Sequence, residues 1–475
     1  MQVPGYSLAE RDRRWALARE IMAAEEVQAL IAYGDPGGAG SARFAPDAYF
    51  SNDRPGSVVI FCRDADPIQL AGSNLPLQTH LAAAGRGDRM WIDPPSIRAG
   101  TAGQPGNSAA GIAEVLREHG LDHAAVGVLG PDAGGPPQPS AVPPYPLCLD
   151  MLAELPDATF KQVAMSFMFG TACLSAEELA VVRHCAAAGN AMSRAMLVAA
   201  APGVTEAEVC AAGTAAAMRH GCQPSVLMWS GPGFVAWGPP SWSYRPEPPR
   251  ALGEGDMLLA EVASRLGMTE TRHQVAIAIG DPHPDIETAA VVARASYQAG
   301  LGAARAGNTF GDLAEAMLEP LKQASAWHTH PLVAALSPFG PAGGSGRGPN
   351  QLPRARCYGR LAEIPTVGGE LPLAPGMPLV IGPSAVIGGR TVSLGGTVLI
   401  GEDDPIELSP FTAQLLRARG ARTPSACRRW LSTWPAPSSP ARSRDCWTVS
   451  PPSQPTGDGP TTHEDQRGAE KRGER

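Results

Sequence analysis

The segment 175–208, SAEELAVVRHCAAAGNAMSRAMLVAAAPGVTEAE, sets the architecture of the second half of the chain. Ser175 followed by two glutamates is typical of a helix start, because serine caps the first turn and acidic side chains favour the positive end of the helix dipole. The alanine-rich run predicts one long helix to about Ala200. Pro202-Gly203 ends it, and Thr205 is expected to cap a second helix.

After this helix pair, apolar runs predict five strands and two more helices. The strands are expected at 224–229, 257–264, 275–279, 378–381 and 391–400, and the helices at 285–306 and 310–324. Long helices mixed with strand pairs that lack parallel crossovers favour an α+β domain. We assign this domain to residues 172–412.

The first 165 residues alternate between strand and helix patterns. A helix is expected at 7–26, where Ser7 can act as its cap, and further helices at 107–119 and 148–155. Short apolar runs predict strands at 28–33, 57–62 and 124–129. This alternation is typical of a layered α/β domain, which we assign to residues 1–165. The proline-rich segment 421–475 contains few aliphatic residues and is expected to be a disordered tail.

Composition excludes several classes of protein. The 475 residues carry a formal charge of −8 with no basic stripe, which argues against a nucleic-acid partner. There is no apolar run of about 18 residues, as a membrane span would need. The N-terminus lacks the apolar region of a secretory signal, so we expect a cytoplasmic protein. The nine cysteines form no C-x-x-C pair, which favours reduced thiols over disulfides or a zinc site.

Several phrases of the second domain, in order and spacing, resemble the creatinase/prolidase/methionine-aminopeptidase superfamily, which includes aminopeptidase P and peptidase family M24. They are Ser175-Ala-Glu-Glu-Leu179, Pro202-Gly-Val-Thr-Glu206, Arg250-Ala-Leu-Gly-Glu-Gly-Asp256, Ala374-Pro-Gly-Met377 and Gly396-Thr-Val-Leu-Ile400. The resemblance covers residues 5–412. It implies a creatinase-type N-terminal domain, a pita-bread fold for 172–412 and a homodimer.

The resemblance also implies where metal ligands would stand. Metal-dependent members use two aspartates eleven residues apart, a histidine and two glutamates to hold two divalent ions that generate hydroxide. The aspartate positions hold Glu261 and Arg272, and the glutamate positions hold Gly382 and Gly395. Arginine offers only hydrogen-bond donors and is not a metal ligand. We therefore expect neither a metal site nor another cofactor.

Seven residues are candidates for the site. Glu261, His273 and His330 are the candidate acid–base groups, and His330 lies where the family places its ligand histidine. The candidate substrate-binding residues are Glu270, Arg272, Trp237 and Trp242. The two tryptophans stand in the segment 231–242, which holds no histidine although the family's catalytic histidine would fall there.

Each candidate also has a purely structural interpretation. Glu261 and Arg272 can form a buried ion pair across a hairpin, because an unpaired carboxylate on an apolar strand is costly. His273 can face solvent, and Trp237 and Trp242 can be packing residues.

Three functions remain open from the sequence. The first is a metal-independent hydrolase or lyase that acts on a C–N bond of a small amide, guanidino or amino-acid-like substrate. The second is a non-catalytic protein that binds a small ligand or a partner. The third is a metal-dependent Xaa-Pro aminopeptidase or prolidase, which the residues at the ligand positions do not support. The expected partner is a small molecule or a short peptide.

Overall fold

The computed structural model describes residues 3–34, 45–86, 90–100, 106–129, 143–336, 342–343 and 368–418. Met1–Ala421 forms one compact unit. The segment 421–475, expected to be disordered, lies outside the described residues. Within the described ranges, no helix has the length and apolar character needed to cross a membrane.

The first half of the chain is a layered α/β structure, as predicted. Its described elements are β1 (Ala29–Tyr33), β2 (Ser57–Cys62), β3 (Ile68–Ala71), β4 (Ile97–Ala99), β5 (Ala125–Leu129), β6 (Thr159–Gln162), α1 (Leu8–Ala24), α2 (Pro46–Ser51), α3 (Asn74–Gly85), α4 (Ala109–Glu118), α5 (Tyr145–Glu154) and α6 (Ala164–Gly170). The strands form one mixed sheet in the order β4-β3-β2-β1-β5-β6. Alternate residues of β1 and β2 point to opposite faces, where α1, α2 and α6 cover one side and α4 and α5 the other.

The second half combines a large curved sheet with four long helices. Its described elements are α7 (Ala176–Ala199), α8 (Glu206–Arg219), α9 (Pro284–Ala303), α10 (Phe310–Gln323), β7 (Gln223–Gly231), β8 (Met257–Leu266), β9 (Thr269–Ala278), β10 (Val333–Ala335), β11 (Ala342–Gly343), β12 (Pro378–Ile381), β13 (Ser384–Ile387), β14 (Arg390–Ser393), β15 (Gly395–Leu399), β16 (Ile406–Glu407) and β17 (Leu416–Arg417). The main sheet runs β11-β10-β12-β15-β9-β8-β7, with β16 beside β15 and β17 beside β9.

The long helices begin at the predicted residues. Ser175 caps α7 and Thr205 caps α8, and each takes part in a full capping box with the glutamate three residues later. Ser7 caps α1 with its side-chain oxygen, which accepts a hydrogen bond from the backbone N–H of Glu10. These caps satisfy backbone N–H groups that have no partner within the helix, so the local sequence fixes where each helix starts.

The predicted strand 391–400 is wrong as a single element. It divides at Leu394 into β14, which pairs with β13, and β15, which joins the main sheet. The cause is backbone conformation, because Gly395 and Gly396 adopt φ values of +107° and +150°. The change of direction brings Ser393 into the interior beside the main sheet.

Two apolar cores lie on opposite faces of the β8–β9 hairpin. Leu258 and Ile277 belong to the core shared with α7 and α8. Met257, Leu259 and Ala276 belong to the core shared with α9 and α10. Both faces of the hairpin are therefore buried. Alternate residues along each strand point into different cores.

The two halves are joined by polar contacts at the start of α7. Glu177 accepts hydrogen bonds from the backbone N–H and the hydroxyl of Ser7, at 2.8 and 2.6 Å. Arg14 pairs with Glu178 at 3.1 Å and with Glu10 at 2.8 Å. The predicted boundary between residues 165 and 172, at α6 and the turn after it, stays a prediction.

Candidate functional site

The β8–β9 hairpin brings the predicted acidic residue to its neighbours. Glu261 lies directly opposite Gln274, and Ala263 lies opposite Arg272. Residues opposite each other in an antiparallel pair share a face, so Glu261, Arg272 and Gln274 point to the same side. That side is the one shared with α9 and α10. Glu261 is only 6% exposed.

A chain of hydrogen bonds connects Glu261 to His330. The amide of Gln274 donates to Oε2 of Glu261 at 2.6 Å, and the hydroxyl of Ser393 donates to Oε1 of Gln274 at 3.2 Å. Nε2 of His330 lies 3.1 Å from Oγ of Ser393, and Nδ1 lies 2.8 Å from the hydroxyl of Thr329. We call Thr329, His330, Ser393, Gln274 and Glu261 the polar chain.

The polar chain has one consistent direction. Since the Ser393 proton goes to Gln274, its oxygen accepts from Nε2–H of His330, and Nδ1 then accepts from Thr329. Every donor therefore points toward Glu261. Desolvation of the ring and the neighbouring His328 lower the pKa of His330 to about 3, which keeps the imidazole neutral.

Arg272 stands between two carboxylates. Its Nε donates to Oε1 of Glu270 at 2.8 Å, whereas its Nη1 lies 3.8 Å from Oε1 of Glu261. The expected pair of Glu261 and Arg272 is present, but Glu270 is the nearer partner. Burial raises the pKa of Glu261, and Arg272 and the Gln274 amide oppose this. A carboxylate in this setting can both bind a proton and accept a hydrogen bond.

Trp237 lies next to the polar chain. Its ring centroid is 5.0 Å from that of His330. The Nε1 atom of Trp237 is buried and has no hydrogen-bond partner among the described residues. An indole N–H is a donor only, so Trp237 offers a donor to an acceptor group of a ligand.

The structure does not bring His273 to Glu261. His273 is opposite Val262, on the face shared with α7 and α8, and it is fully buried. A Cβ atom at Gly189 of α7 would lie 2.0 Å from Nε2 of His273, so the ring packs directly against the helix backbone. Burial lowers the pKa of His273 to about 3. His273 therefore neither faces solvent nor shares a pocket with Glu261.

Trp242 is also apart from the polar chain. It packs against the core formed with α7 and α8, on the opposite side of the sheet from Glu261. Of the two predicted tryptophans, only Trp237 contacts a residue of the polar chain.

Glu270 opens onto a small cavity of about 30 Å³ between the two halves of the chain. Tyr6, Arg14, Glu178 and Thr269 line it as well, and the hydroxyl of Tyr6 lies 2.9 Å from Oγ1 of Thr269. Glu261 and Arg272 are not among its lining residues. Of the charged candidates Glu261, Glu270 and Arg272, Glu270 is the one that lines this cavity.

Comparison with known proteins supports the fold. Residues 180–402 match the model of metallopeptidase family M24. This region, a little under half of the chain, is similar to family M24. No curated protein sequence matches it.

Solved M24-type structures share the fold along almost their whole length. Dipeptidase PepE from Mycobacterium ulcerans superposes with a TM-score of 0.62 at 18% identity, covering 87% of this chain and 99% of that one. A prolidase from Thermococcus sibiricus gives 0.64 at 10% identity, covering 87% and 100%. The aminopeptidase PepP of Pseudomonas aeruginosa gives 0.61 at 15% identity, covering 87% and 97%.

The donor set does not fit the metal pair of M24 enzymes. In the part of the chain that the structure describes, no group of three or more His, Cys, Asp or Glu side chains could hold a metal ion. Arg272, at the position where the resemblance predicts the second aspartate, is a permanent cation and would repel a divalent ion. We therefore derive no chemical step through a metal.

Gly382 and Gly395, at the positions where the resemblance predicts glutamates, both have close neighbours. At Gly382, a Cβ atom would lie 3.2 Å from Cγ of Gln274, so a longer side chain there would point at the polar chain. At Gly395, a Cβ atom would lie 2.1 Å from the carbonyl oxygen of Ile381 and 2.8 Å from the ring of Tyr297. A glutamate at Gly395 would require the backbone to move.

Three members of the polar chain, Thr329, Gln274 and Ser393, are not among the candidate residues that the sequence indicates. Ser393 lies in an apolar strand and carries no motif, and Gln274 has a side chain that does not titrate. The available signal was register, because Gln274 pairs directly with Glu261. Ser393 enters the site through the turn at Gly395, and no sequence period predicts that.

Proposed function

We propose that this M24 chain is a metal-independent hydrolase or lyase that acts on a C–N bond of a small amide, guanidino or amino-acid-like substrate. The observation that carries the proposal is the polar chain, which directs every donor toward Oε2 of Glu261. The other carboxylate oxygen, Oε1, lies 3.8 Å from Arg272. A water molecule or a polar group of a substrate that binds between these atoms can contact both Glu261 and Arg272.

Glu261 is the general base in this proposal. In hydrolysis, its carboxylate takes a proton from water as the water oxygen attacks the carbon of the C–N bond. The guanidinium of Arg272 stabilises the negative charge that develops on the substrate. The proton then passes to the departing nitrogen as the bond breaks. Trp237 donates from Nε1 to an acceptor on the substrate.

A second candidate is binding without catalysis. Two observations favour it: Glu261 is 6% exposed, and the imidazole of His330 reaches Glu261 only through Ser393 and Gln274. A neutral histidine held in this way is a poor proton donor at neutral pH. In this case, Glu261 and Arg272 would bind a small zwitterionic ligand without changing it.

Metal-dependent cleavage of Xaa-Pro peptides is the activity suggested by names such as prolidase among the similar structures. It ranks third because Arg272, Gly382 and Gly395 stand at ligand positions. A homodimer and a cytoplasmic location, both expected from the sequence, remain part of the proposal and can be checked by light scattering and by cell fractionation.

The test uses the full chain after extensive dialysis in buffer without chelator, so that a tightly bound metal would remain and be detected. Elemental analysis should find no stoichiometric Zn, Mn, Co or Fe. Small amides, guanidino compounds and Xaa-Pro dipeptides are then assayed with and without added Mn²⁺ or Co²⁺. Turnover that is unaffected by chelator and lost in Glu261→Gln supports the hydrolase. Ligand-induced thermal stabilisation without turnover, lost in the same variant, supports binding. Turnover that requires added metal contradicts both.

A further inference from the structure

Two thiols meet in the core on the far side of the sheet from Glu261. Cys185 lies on α7, and Cys222 lies in the turn that joins α8 to β7. Both are free and buried in the core shared with α7 and α8. The Cys222 thiol is within hydrogen-bonding reach of the Cys185 thiol and of the Ser264 hydroxyl. The Ser264 hydroxyl also donates to the carbonyl of Cys185 at 2.5 Å, which connects α7 to β8.

The two thiols differ in their surroundings. The single S–H proton of Cys185 has two acceptors within reach, the Cys222 sulfur and the carbonyl oxygen of Thr269, which lies 3.5 Å from the Cys185 sulfur. The hydrogen bond from Cys185 and the neighbouring imidazole of His184 lower the pKa of Cys222. Nε2 of His184 lies 2.9 Å from the carbonyl oxygen of His220, which fixes its ring beside the thiols.

Access to Cys222 requires little movement. Its sequence neighbours Gly221 and Gln223 are both exposed, so the buried Cys222 lies in a segment that reaches the surface. Gly221 has a φ of +71° and forms the tight turn after α8. A brief opening of this turn would expose Cys222 to a molecule as small as a peroxide, without unfolding α7 or the sheet.

We propose that Cys185 and Cys222 form a reversible dithiol–disulfide couple that a hydroperoxide oxidises. The Cys222 thiolate attacks the peroxide oxygen, giving a sulfenic acid and hydroxide, or alkoxide from an organic peroxide. The Cys185 sulfur then attacks the Cys222 sulfur, and the sulfenic oxygen leaves as water after taking a proton. Two electrons pass from the two thiols to the peroxide, and a thiol reductant reverses the process.

The disulfide would change one contact near the proposed active site. Once Cys185 has lost its proton, it no longer donates to the carbonyl oxygen of Thr269. Thr269 precedes Glu270, and its hydroxyl meets Tyr6 at 2.9 Å. Oxidation therefore acts on the start of β9, which carries Glu270 and Arg272. This inference stands independently of the proposed function.

The test treats the native full chain with hydrogen peroxide, followed by acid quenching, alkylation and mass spectrometry of a non-reduced digest. We expect one linked peptide pair that contains Cys185 and Cys222, two hydrogen atoms lighter than the sum of its parts, and its loss on reduction. Cys222→Ser should remove the linked pair. Cys62→Ser is the matched control, since burial raises the pKa of Cys62 to about 11 in the other half of the chain, and it should retain the pair.

The unfolding temperature gives a second measurement. A disulfide that closes the loop 185–222 should raise it in the oxidised parent chain and leave it unchanged in Cys222→Ala, which serves if the serine variant does not fold. Recovery of both cysteines alkylated after peroxide treatment would overturn the proposal. Independent oxidation of each cysteine to a sulfinic acid, or pairing of either with another cysteine, would overturn it equally.

Discussion

The side-chain amide of Gln274 donates a 2.6 Å hydrogen bond to Oε2 of Glu261, its direct partner across the β8–β9 hairpin. This bond orients the carboxylate and leaves Oε1 turned toward Arg272. An amide cannot change its protonation state, so the contact fixes geometry while the charge on Glu261 remains free to vary. The properties of the site therefore depend on the groups around this pair.

Replacing Glu261 with glutamine should abolish turnover or ligand binding because the base is lost. Stability should fall by only about 1–2 kcal/mol, since Arg272 keeps Glu270 at 2.8 Å and is not left alone. This is less than the roughly 3 kcal/mol expected for removing the sole partner of a buried charge. Urea unfolding measures the loss. Glu287→Gln, in an exposed pair with Arg417, is the control and should change stability by less than about 1 kcal/mol.

Ser393→Ala tests the polar chain. The substitution leaves Oε1 of Gln274 and Nε2 of His330 without their shared partner, which should cost about 1–3 kcal/mol. Ser225→Ala, on the edge strand β7, is the matched control and should lie within about 0.5 kcal/mol of the parent chain. Equal stability of the two variants would show that the hydrogen bonds of the Ser393 hydroxyl do not contribute to the free energy of unfolding.

Arg272→Gln removes the cation from between Glu261 and Glu270. At pH 8 the variant should lose about 2–4 kcal/mol of stability, because two carboxylates are left near each other in a mostly buried place. At pH 5 the loss should be smaller, since a carboxylate without its cation binds a proton more readily. Arg272→Lys keeps the charge and should show a weaker pH dependence. A loss that is the same at both pH values would contradict this assignment.

Burial of neutral His273 should make the protein sensitive to acid. The pKa of His273 is about 3 in the folded protein, whereas an unfolded histidine has a pKa of about 6.5. Its contribution to stability is therefore fully present above pH 6.5. As the pH falls toward 3, the unfolded state binds a proton that the folded state does not, and stability drops by about 1.4 kcal/mol per pH unit. His273→Leu should remove this part of the slope in unfolding experiments between pH 7 and 5; an unchanged slope would contradict it.

The close approach of α7 to β9 gives a steric test. Gly189→Ala would place its methyl group 2.0 Å from Nε2 of His273 and should destabilise the protein by about 1–3 kcal/mol. Gly302→Ala, near the end of α9 with no atom within 4 Å of its added methyl group, should stabilise it by about 0.5–1 kcal/mol. Combining Gly189→Ala with His273→Ala should cost less than the sum of the single changes, because the smaller side chain makes room.

Much of the fold could be predicted from local chemistry. Helix starts at Ser175 and Thr205 follow from their caps, and the fold class follows from the order of the motifs around them. The division of 391–400 could not be predicted in the same way. A glycine pair inside an apolar run is compatible with a continuous strand, and only tertiary pairing shows that the chain turns there.

The sequence indicates part of the candidate site but not the orientation of its side chains. Arg272 lies beside Glu261 and Glu270, and His330 is connected to Glu261 through Ser393 and Gln274, whereas His273 points to the opposite core. The alternation of polar and apolar residues does not show which way each side chain points, because β9 is buried on both faces. Shifting the strand by one residue would leave its side chains in an apolar environment in either case.

The contacts of Ser7 with Glu177 and of Arg14 with Glu178 have a practical consequence. A shortened gene product starting at residue 172 would still contain every residue of the polar chain. Near its new N-terminus, however, Glu177 would lose the Ser7 hydroxyl and amide, Glu178 would lose the Arg14 guanidinium, and Thr269 would lose the Tyr6 hydroxyl. The fragment 172–475 should therefore unfold at a lower temperature than the full chain and aggregate more readily. Adding the N-terminal residues as a separate polypeptide should raise its unfolding temperature again.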